Sequence, residues 1–134
     1  LEAMCARLAA RRAQPEDEAA LRETLAACAR AAEAGDSDAY YYENERFHRA
    51  IYAASHNGFL ADQALALAKR LAPFRRLQLR VRNRTSASLA EHDRVVAAIL
   101  SGDGEQAAEE LRGHVTVQGE RFHDLMASLE ASKP

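Results

Sequence analysis

Several features that define large classes of protein are scarce in this 134-residue sequence. Cysteine occurs only at Cys5 and Cys28, which is too few for a disulfide framework. No apolar run approaches the roughly 18 residues of a transmembrane helix. The 18 basic and 20 acidic residues give a net charge of -2, so the chain lacks the basic excess of proteins that bind nucleic-acid phosphates. We therefore expect a cytoplasmic chain that neither spans a membrane nor binds DNA by itself.

Glycine and proline are also infrequent, with 6 and 3 residues, whereas alanine occupies 30 positions. Alanine has the highest helix propensity, and a low content of turn residues disfavours a strand-rich sandwich or barrel. The hydrophobic fraction of 48% and the charged fraction of 28% are typical of a folded globular domain. The composition and length together predict a single all-α domain over residues 1–134.

Turn and capping signals divide the chain into six amphipathic segments. Asp36 is a predicted N-cap, and Ser88 with Glu91 and Asp103 with Gln106 have the spacing of capping boxes. Pro73 predicts a kink or a break within the fourth segment. The predicted helices are an opening helix with an apolar repeat at Leu1, Met4, Cys5 and Leu8, then residues 16–34, 37–55, 59–82, 88–101 and 104–129. Short connections between them predict an antiparallel bundle of six to seven helices.

The chain begins within an apolar helical repeat, and no capping residue precedes it. No signal-peptide pattern is visible at this end. We therefore expect a domain excised from a longer protein, with its partner domain upstream.

Four polar residues fall on the core-facing arcs of the predicted helices. Asn44 and His48 lie one turn apart in the third helix, and His92 and His114 lie on the inner arcs of the fifth and sixth. Hydrogen bonds to neighbouring groups are the ordinary explanation of one buried histidine, but a buried polar group without a partner costs about 1–3 kcal/mol. A divalent metal accepts imidazole nitrogens and an amide oxygen. The pattern therefore predicts a metal site, with zinc expected and nickel or manganese as alternatives.

A second pattern competes with this interpretation. Glu-x-x-His occurs at Glu45–His48 and again at Glu120–His123, and two such motifs are typical of ferritin-like di-iron bundles. However, Glu120 and His123 fall on the opposite side of the last helix from its apolar arc. The fourth and fifth helices also provide no inward glutamate, so the sequence disfavours a di-iron site.

Arginine is concentrated between residues 75 and 84, at Arg75, Arg76, Arg80, Arg82 and Arg84. Such a run usually forms a solvated helix face, but an arginine turned toward a metal would bind a carboxylate with two hydrogen bonds. Tyrosines of the third helix, including Tyr40, flank Asn44 and His48, and they suit either core packing or ligand binding. The candidate effector contacts are Tyr41, Tyr52, Arg76 and Arg80.

These motifs together resemble a known family. They are Asn44-x-x-Phe47-His48, Asn57 with Leu60, Glu91-His92 with Ala98-Ile99, and Gly102-Asp103 with Ala107 and His114. The chain resembles the FCD domain, the C-terminal effector-binding domain of the FadR subfamily of GntR transcription regulators. The resemblance implies a helical bundle, an upstream winged-helix domain, a dimer, and metal ligands at Asn44, His48, His92 and His114. This chain departs from many relatives of the family it resembles, which carry aspartate at the position of Asn44. With asparagine at this position, the implied ligand set is neutral.

Two functions follow from a buried metal site. In the first, a small organic acid binds the metal and shifts a dimer arrangement that controls DNA binding by the upstream domain. In the second, the metal activates water in a hydrolase or lyase. Catalysis also requires a general base, and the inward arcs provide only Asp93. We therefore expect a sensor domain rather than an enzyme.

Overall fold

The computed structural model describes residues 1–81 and 83–131, with the side chains of residues 1–81, 83–115, 127 and 130. The described residues form six helices, which confirms the predicted all-α bundle. They are α1 (Glu2–Arg12), α2 (Pro15–Glu33), α3 (Ser37–Ala54), α4 (Gly58–Gln78), α5 (Arg84–Leu100) and α6 (Gly104–Ala131).

Helix α1 is the central helix of the bundle, since it packs against α3, α4, α5 and α6. Its buried face includes Cys5, Ala6 and Ala9, whose small side chains allow neighbouring helices to approach closely. One such close approach is at Gly104, the first residue of α6. A Cβ atom at this position would lie 3.1 Å from the backbone oxygen of Arg7.

The chain reverses direction at glycines that adopt left-handed backbone conformations. Gly35 and Gly102 follow α2 and α5 with φ values of +69° and +77°. Each is followed by an N-cap, because Asp36 and Asp103 accept hydrogen bonds of 2.9 and 3.0 Å from the N–H three residues later. These caps agree with the sequence prediction, and they make α2 antiparallel to α3 and α5 antiparallel to α6.

The predicted start of the fifth helix is wrong. Helix α5 begins at Arg84 rather than at Ser88, after Asn83 with a φ of +66°. Ser88 is fully buried inside the helix and accepts a 2.8 Å hydrogen bond from the Tyr40 hydroxyl. Glu91 pairs with Arg84 instead of capping a helix. Ser88 and Glu91, the two residues of the predicted capping box, therefore form hydrogen bonds with Tyr40 and Arg84 instead.

Helix α4 also differs from its prediction. It continues through Pro73 as one helix, and it ends at Gln78 rather than near residue 82. Asn57 caps it, accepting a 3.1 Å hydrogen bond from the N–H of Leu60.

The inward face of α1 is rotated from the predicted apolar repeat. Leu1 and Met4 are 49% and 53% exposed, whereas Glu2 is only 7% exposed and lies on the same face as Cys5 and Ala9. A carboxylate therefore enters the core where the apolar repeat predicted Leu1 and Met4.

Both cysteines lie in the core, as expected, and neither side chain is exposed. Burial raises the pKa of Cys28 to about 12, so its thiol stays protonated at neutral pH.

A bilayer-spanning helix needs both length and an apolar composition, and no helix of the described residues combines the two.

Candidate metal centre

The four predicted ligand residues are buried at the centre of the bundle. Asn44 and His92 are fully buried, and His48 and His114 are each 1% exposed. Helix α3 carries Asn44 and His48 one turn apart, whereas α5 carries His92 and α6 carries His114. Three helices therefore bring imidazole rings into one buried region, as the helical periodicity predicted.

The three histidines form a compact cluster. One potential ligand atom from each of His48, His92 and His114 lies within 4.8 Å of the other two. The ring centroids of His92 are 5.5 Å from those of His48 and 4.9 Å from those of His114, and His48 and His114 are 5.4 Å apart. Nitrogens this close to one another have the disposition needed to share one ion.

The carboxylate of Glu2 holds the His48 ring in place. Oε1 of Glu2 lies 2.8 Å from His48 Nδ1 and also accepts a hydrogen bond from the Tyr52 hydroxyl, while Oε2 accepts one of 3.0 Å from Arg75. Burial opposes ionisation of Glu2, but its contacts with His48, Arg75 and Tyr52 outweigh burial and hold its pKa well below the usual range. An ionised carboxylate only accepts hydrogen bonds, so His48 donates its Nδ1–H to Glu2, and Nε2 is the nitrogen left to bind a metal.

A second carboxylate–arginine pair holds His114. Glu91 accepts hydrogen bonds of 3.0 and 2.8 Å from the buried guanidinium of Arg84, and it contacts His114 Nδ1. Burial opposes ionisation of Glu91, but the hydrogen bonds from His114 and Arg84 lower its pKa to about 2. Burial lowers the pKa of His114 to about 4 despite the contact with Glu91. The pair at neutral pH is thus an anionic carboxylate and a neutral imidazole.

Neutral groups surround His92. Its ring stacks on Phe47 with the centroids 4.1 Å apart, and its Nε2 lies 3.5 Å from the Ser88 hydroxyl, which accepts a hydrogen bond from Tyr40. Burial, with further contributions from the neighbouring histidines and Arg84, holds the pKa of His92 well below the usual range. His92 is therefore a neutral imidazole, as metal ligation requires.

Some of the buried atoms without a hydrogen-bond partner are of the kind that a metal binds. Among the described side chains, hydrogen-bond partners are missing for His48 Nε2, His92 Nδ1 and both amide atoms of Asn44, and all four atoms are buried. Leaving them unpaired in an apolar core costs free energy, whereas a divalent cation binds imidazole nitrogen and amide oxygen. The residues present thus fit a divalent metal held by neutral ligands and supported by an outer layer of hydrogen-bonded partners.

The predicted effector contacts lie in two separate places. Tyr41, Arg76 and Arg80 line a cavity of about 440 Å³ between α3 and α4 that no histidine lines. Both arginines lie near Asp38, at 3.6 and 3.4 Å, and the Arg76 guanidinium lies over the Tyr41 ring. Tyr52 is buried beside Glu2. The structure therefore groups three of the four residues and separates Tyr52 from them.

Other members of the arginine run point inward. Arg75 and Arg84 are 5% and 1% exposed, and each pairs with a buried glutamate that holds one of the histidines. Arg82 lies outside the described residues.

The structure describes the deciding residue of only one of the two alternative interpretations. Asp93, the predicted inward general base, is exposed on α5, so that prediction is wrong and the enzymatic interpretation loses its base. Glu120 and His123 of the di-iron pattern lie outside the described side chains, as do Gln118, Phe122, Leu125 and Leu129 of the predicted apolar arc.

Glu2 and Glu91 were missed as partners of the histidines, and Arg75 and Arg84 were missed as partners of these glutamates. Two sequence signals pointed to them. Glu2 precedes Cys5 and Ala9 by three and seven residues, which places it on their helix face. Arg84 and Glu91 are seven residues apart, which places them on one face of a helix once α5 is extended back to residue 84.

Comparison with known proteins connects this arrangement to a family. Among solved structures, E. coli McbR/YncC has a similar fold, with a TM-score of 0.81 and 24% sequence identity. The similarity covers 92% of this chain and 63% of that chain, so this chain spans less than two thirds of McbR/YncC. Comparison with curated proteins gives no match. The FCD domain family matches residues 1–117. The chain therefore belongs to the FCD domain family.

Proposed function

We propose that this chain is the sensor domain of a FadR-subfamily regulator, and that it binds a small organic acid at a buried divalent metal. Asn44, His48, His92 and His114 would hold the metal. The observation that carries the proposal is the cluster of three buried histidines, in which His48 Nε2 and His92 Nδ1 lack hydrogen-bond partners among the described side chains. When bound, the metal supplies a Lewis-acidic centre for carboxylate oxygens. Zinc is the expected ion, because imidazole suits it, with nickel and manganese as alternatives.

The charges around the site favour an anionic effector. Glu2 is neutralised by Arg75 and Glu91 by Arg84, so each buried pair has no net charge. Asn44 and the neutral imidazoles add none. The charge of a divalent ion would therefore remain uncompensated in a low-dielectric interior, which is costly. A carboxylate that binds the metal removes this cost, and a chelating acid of the citrate or hydroxy-acid type provides two oxygens at once.

Two cavities are relevant to an effector, and only the smaller one is lined by a histidine of the cluster. One of about 180 Å³ lies between α5 and α6 and is lined by His114 and Glu91. The cavity between α3 and α4 is lined by Tyr41, Arg76 and Arg80, which we propose as effector contacts together with Tyr52. The arginines would bind the part of the acid that does not contact the metal.

In the full regulator, an upstream winged-helix domain would make the DNA contacts in a cytoplasmic homodimer. An effector that binds one arrangement of the dimer more tightly than another shifts the population toward that arrangement. The net charge of -2 on this chain is consistent with DNA contacts located elsewhere.

The metal is tested by elemental analysis and zinc titration of the purified domain. We expect about one zinc per chain. His92→Ala and His114→Ala should each weaken zinc binding about tenfold or more while far-UV circular dichroism stays helical. His56→Asn is the matched control, since His56 is exposed and has a left-handed φ of +50° that asparagine tolerates. His123→Ala should also leave zinc binding unchanged. Far less than one zinc per chain, with no uptake on titration, would contradict the proposed metal centre.

The effector is tested by a thermal-shift screen of acids, their amides and neutral sugars against zinc-loaded and zinc-free protein. Binding to the folded state raises the melting temperature according to the ratio of ligand concentration to its dissociation constant. We expect chelating acids to stabilise only the zinc-loaded form, and Arg76→Ala with Arg80→Ala to reduce that shift. Stabilisation by sugars alone, or equal stabilisation without zinc, would refute a metal-bound carboxylate.

A further inference from the structure

Glu2 connects the histidine cluster to a helix that provides none of the proposed ligands. It lies in the first turn of α1, and its partners come from two other helices, His48 and Tyr52 from α3 and Arg75 from α4. The carboxylate is 7% exposed, whereas its neighbours Leu1 and Met4 are about half exposed. Glu2 is thus the buried polar side chain that connects the first turn of α1 to α3 and α4.

The contact with His48 selects the form of the ring that binds metal. With Nδ1–H donated to Glu2, Nε2 is the nitrogen left to bind a metal, and it has no hydrogen-bond partner among the described residues. Glu91 does the same for His114, but from α5, which itself carries the adjacent ligand His92. Of these two glutamates, only Glu2 lies in α1.

We propose that Glu2 is a positioning residue that couples metal binding to the docking of the first turn of α1. The inference rests on the proposed function. A metal on Nε2 strengthens the hydrogen bond that Nδ1–H donates to the carboxylate, because metal binding withdraws electrons from the ring. The bound metal therefore holds Glu2, and Glu2 holds the turn to α3 and α4.

In a longer chain, this coupling would act in both directions between the metal centre and the sequence before α1. Any sequence that precedes Leu1 in a longer chain is joined to this turn, so a change at the metal centre reaches that junction through one side chain. Coupling free energies are reciprocal, so a force that displaces the turn must weaken metal binding by the same factor. The turn is thus a place where occupancy of the core site is transmitted out of the bundle.

The test is hydrogen exchange with mass spectrometry, with and without saturating zinc. The Cys5 amide, which donates to the Leu1 carbonyl at 3.1 Å, reports on the first turn. In the wild type, zinc should slow exchange in this turn about fivefold or more. In Glu2→Gln, zinc should bind about tenfold more weakly, and at saturation it should protect α3 and α5 but not the turn. Glu91→Gln should weaken zinc binding yet keep the protection of the turn at saturation.

Two further variants complete the design. Glu16→Gln removes an exposed carboxylate from the first turn of α2 and should change neither zinc affinity nor exchange in α1. Glu2→Gln with Arg75→Gln leaves no unpaired buried arginine, so it provides a folded variant even if Glu2→Gln alone is too unstable to purify, and it should show the same loss of protection.

The outcomes separate this inference from the proposed function. If the wild type takes up no zinc, both fail. If zinc binds the wild type but leaves exchange in the first turn unchanged, the metal centre stands and the coupling is wrong. The coupling is also wrong if zinc at saturation protects the turn equally in both Glu2 variants and in the wild type.

Discussion

Replacing Arg84 with methionine should strongly destabilise the metal-free domain. The Arg84 side chain is 1% exposed and donates two hydrogen bonds to Glu91, at 3.0 and 2.8 Å. In the variant Arg84→Met, the anionic carboxylate of Glu91 is only 13% exposed. Of its two partners, Arg84 and His114, only His114 remains. The carboxylate must then stay ionised without its cation or take up a proton.

The cost follows from the burial of the pair. Removing one member of a buried ion pair costs about 3–5 kcal/mol, because the other charge is left uncompensated. The partial exposure of Glu91 and its contact with His114 place the expected loss at the lower end, about 3 kcal/mol. Replacing both residues, in Arg84→Met with Glu91→Leu, removes both charges and should cost only about 1 kcal/mol.

Urea unfolding followed by circular dichroism at neutral pH measures these differences, with a chelator present so that no metal contributes. Arg112→Met is the control, because Arg112 pairs with Glu109 on the surface, where the side chains are 58% and 70% exposed. This change should cost about 0.5 kcal/mol or less. The reasoning is refuted if Arg84→Met costs no more than Arg112→Met, or if the double variant is less stable than Arg84→Met.

Three further predictions concern pH and packing. Burial lowers the pKa of His114 from 6.5 to about 4, so the unfolded chain takes up a proton at a higher pH than the folded chain does. The free energy of unfolding should therefore be highest above pH 6.5 and fall by about 3 kcal/mol toward pH 4. Urea unfolding should show a shallower decline of this free energy in His114→Gln. Tyr40→Phe deletes a buried hydrogen bond and should cost about 1 kcal/mol by the same assay. Gly104→Ala forces a Cβ against the Arg7 backbone and should lower stability by about 1 kcal/mol, whereas Gly58→Ala, at the first position of α4, meets no atom within 4 Å and should not lower the melting temperature.

The histidine cluster could be predicted from sequence because it depends on one local rule. Helical periodicity assigns each residue to a face, and His48, His92 and His114 fell on apolar arcs of helices that the structure confirms, although α5 begins four residues earlier than predicted. The caps at Asp36 and Asp103 were predictable for the same reason, since each depends on residues within one turn.

The outer partners were harder to predict because they depend on pairs that are distant in sequence. Glu2 and Arg75 are 73 residues apart, and a lone glutamate in a first helical turn is ordinarily solvated. Ser88 and Glu91 matched a capping pattern, but the hydroxyl of Tyr40 and the guanidinium of Arg84 compete for them in the folded chain. A local pattern does not reveal such competition.

The reaction rates of the two buried thiols can report on opening motions of the bundle. Cys5 lies in the central helix and Cys28 in α2, and a thiol reagent reaches either one only when the surrounding helices separate. The two labelling rates therefore compare the opening of α1 with that of α2 without any engineered probe. If the bundle opens as a single cooperative unit, the two rates converge once each is corrected for intrinsic thiol reactivity. If α2 separates first, Cys28 reacts while Cys5 stays protected, and the difference measures how far the outer helix can leave the core before the centre is exposed.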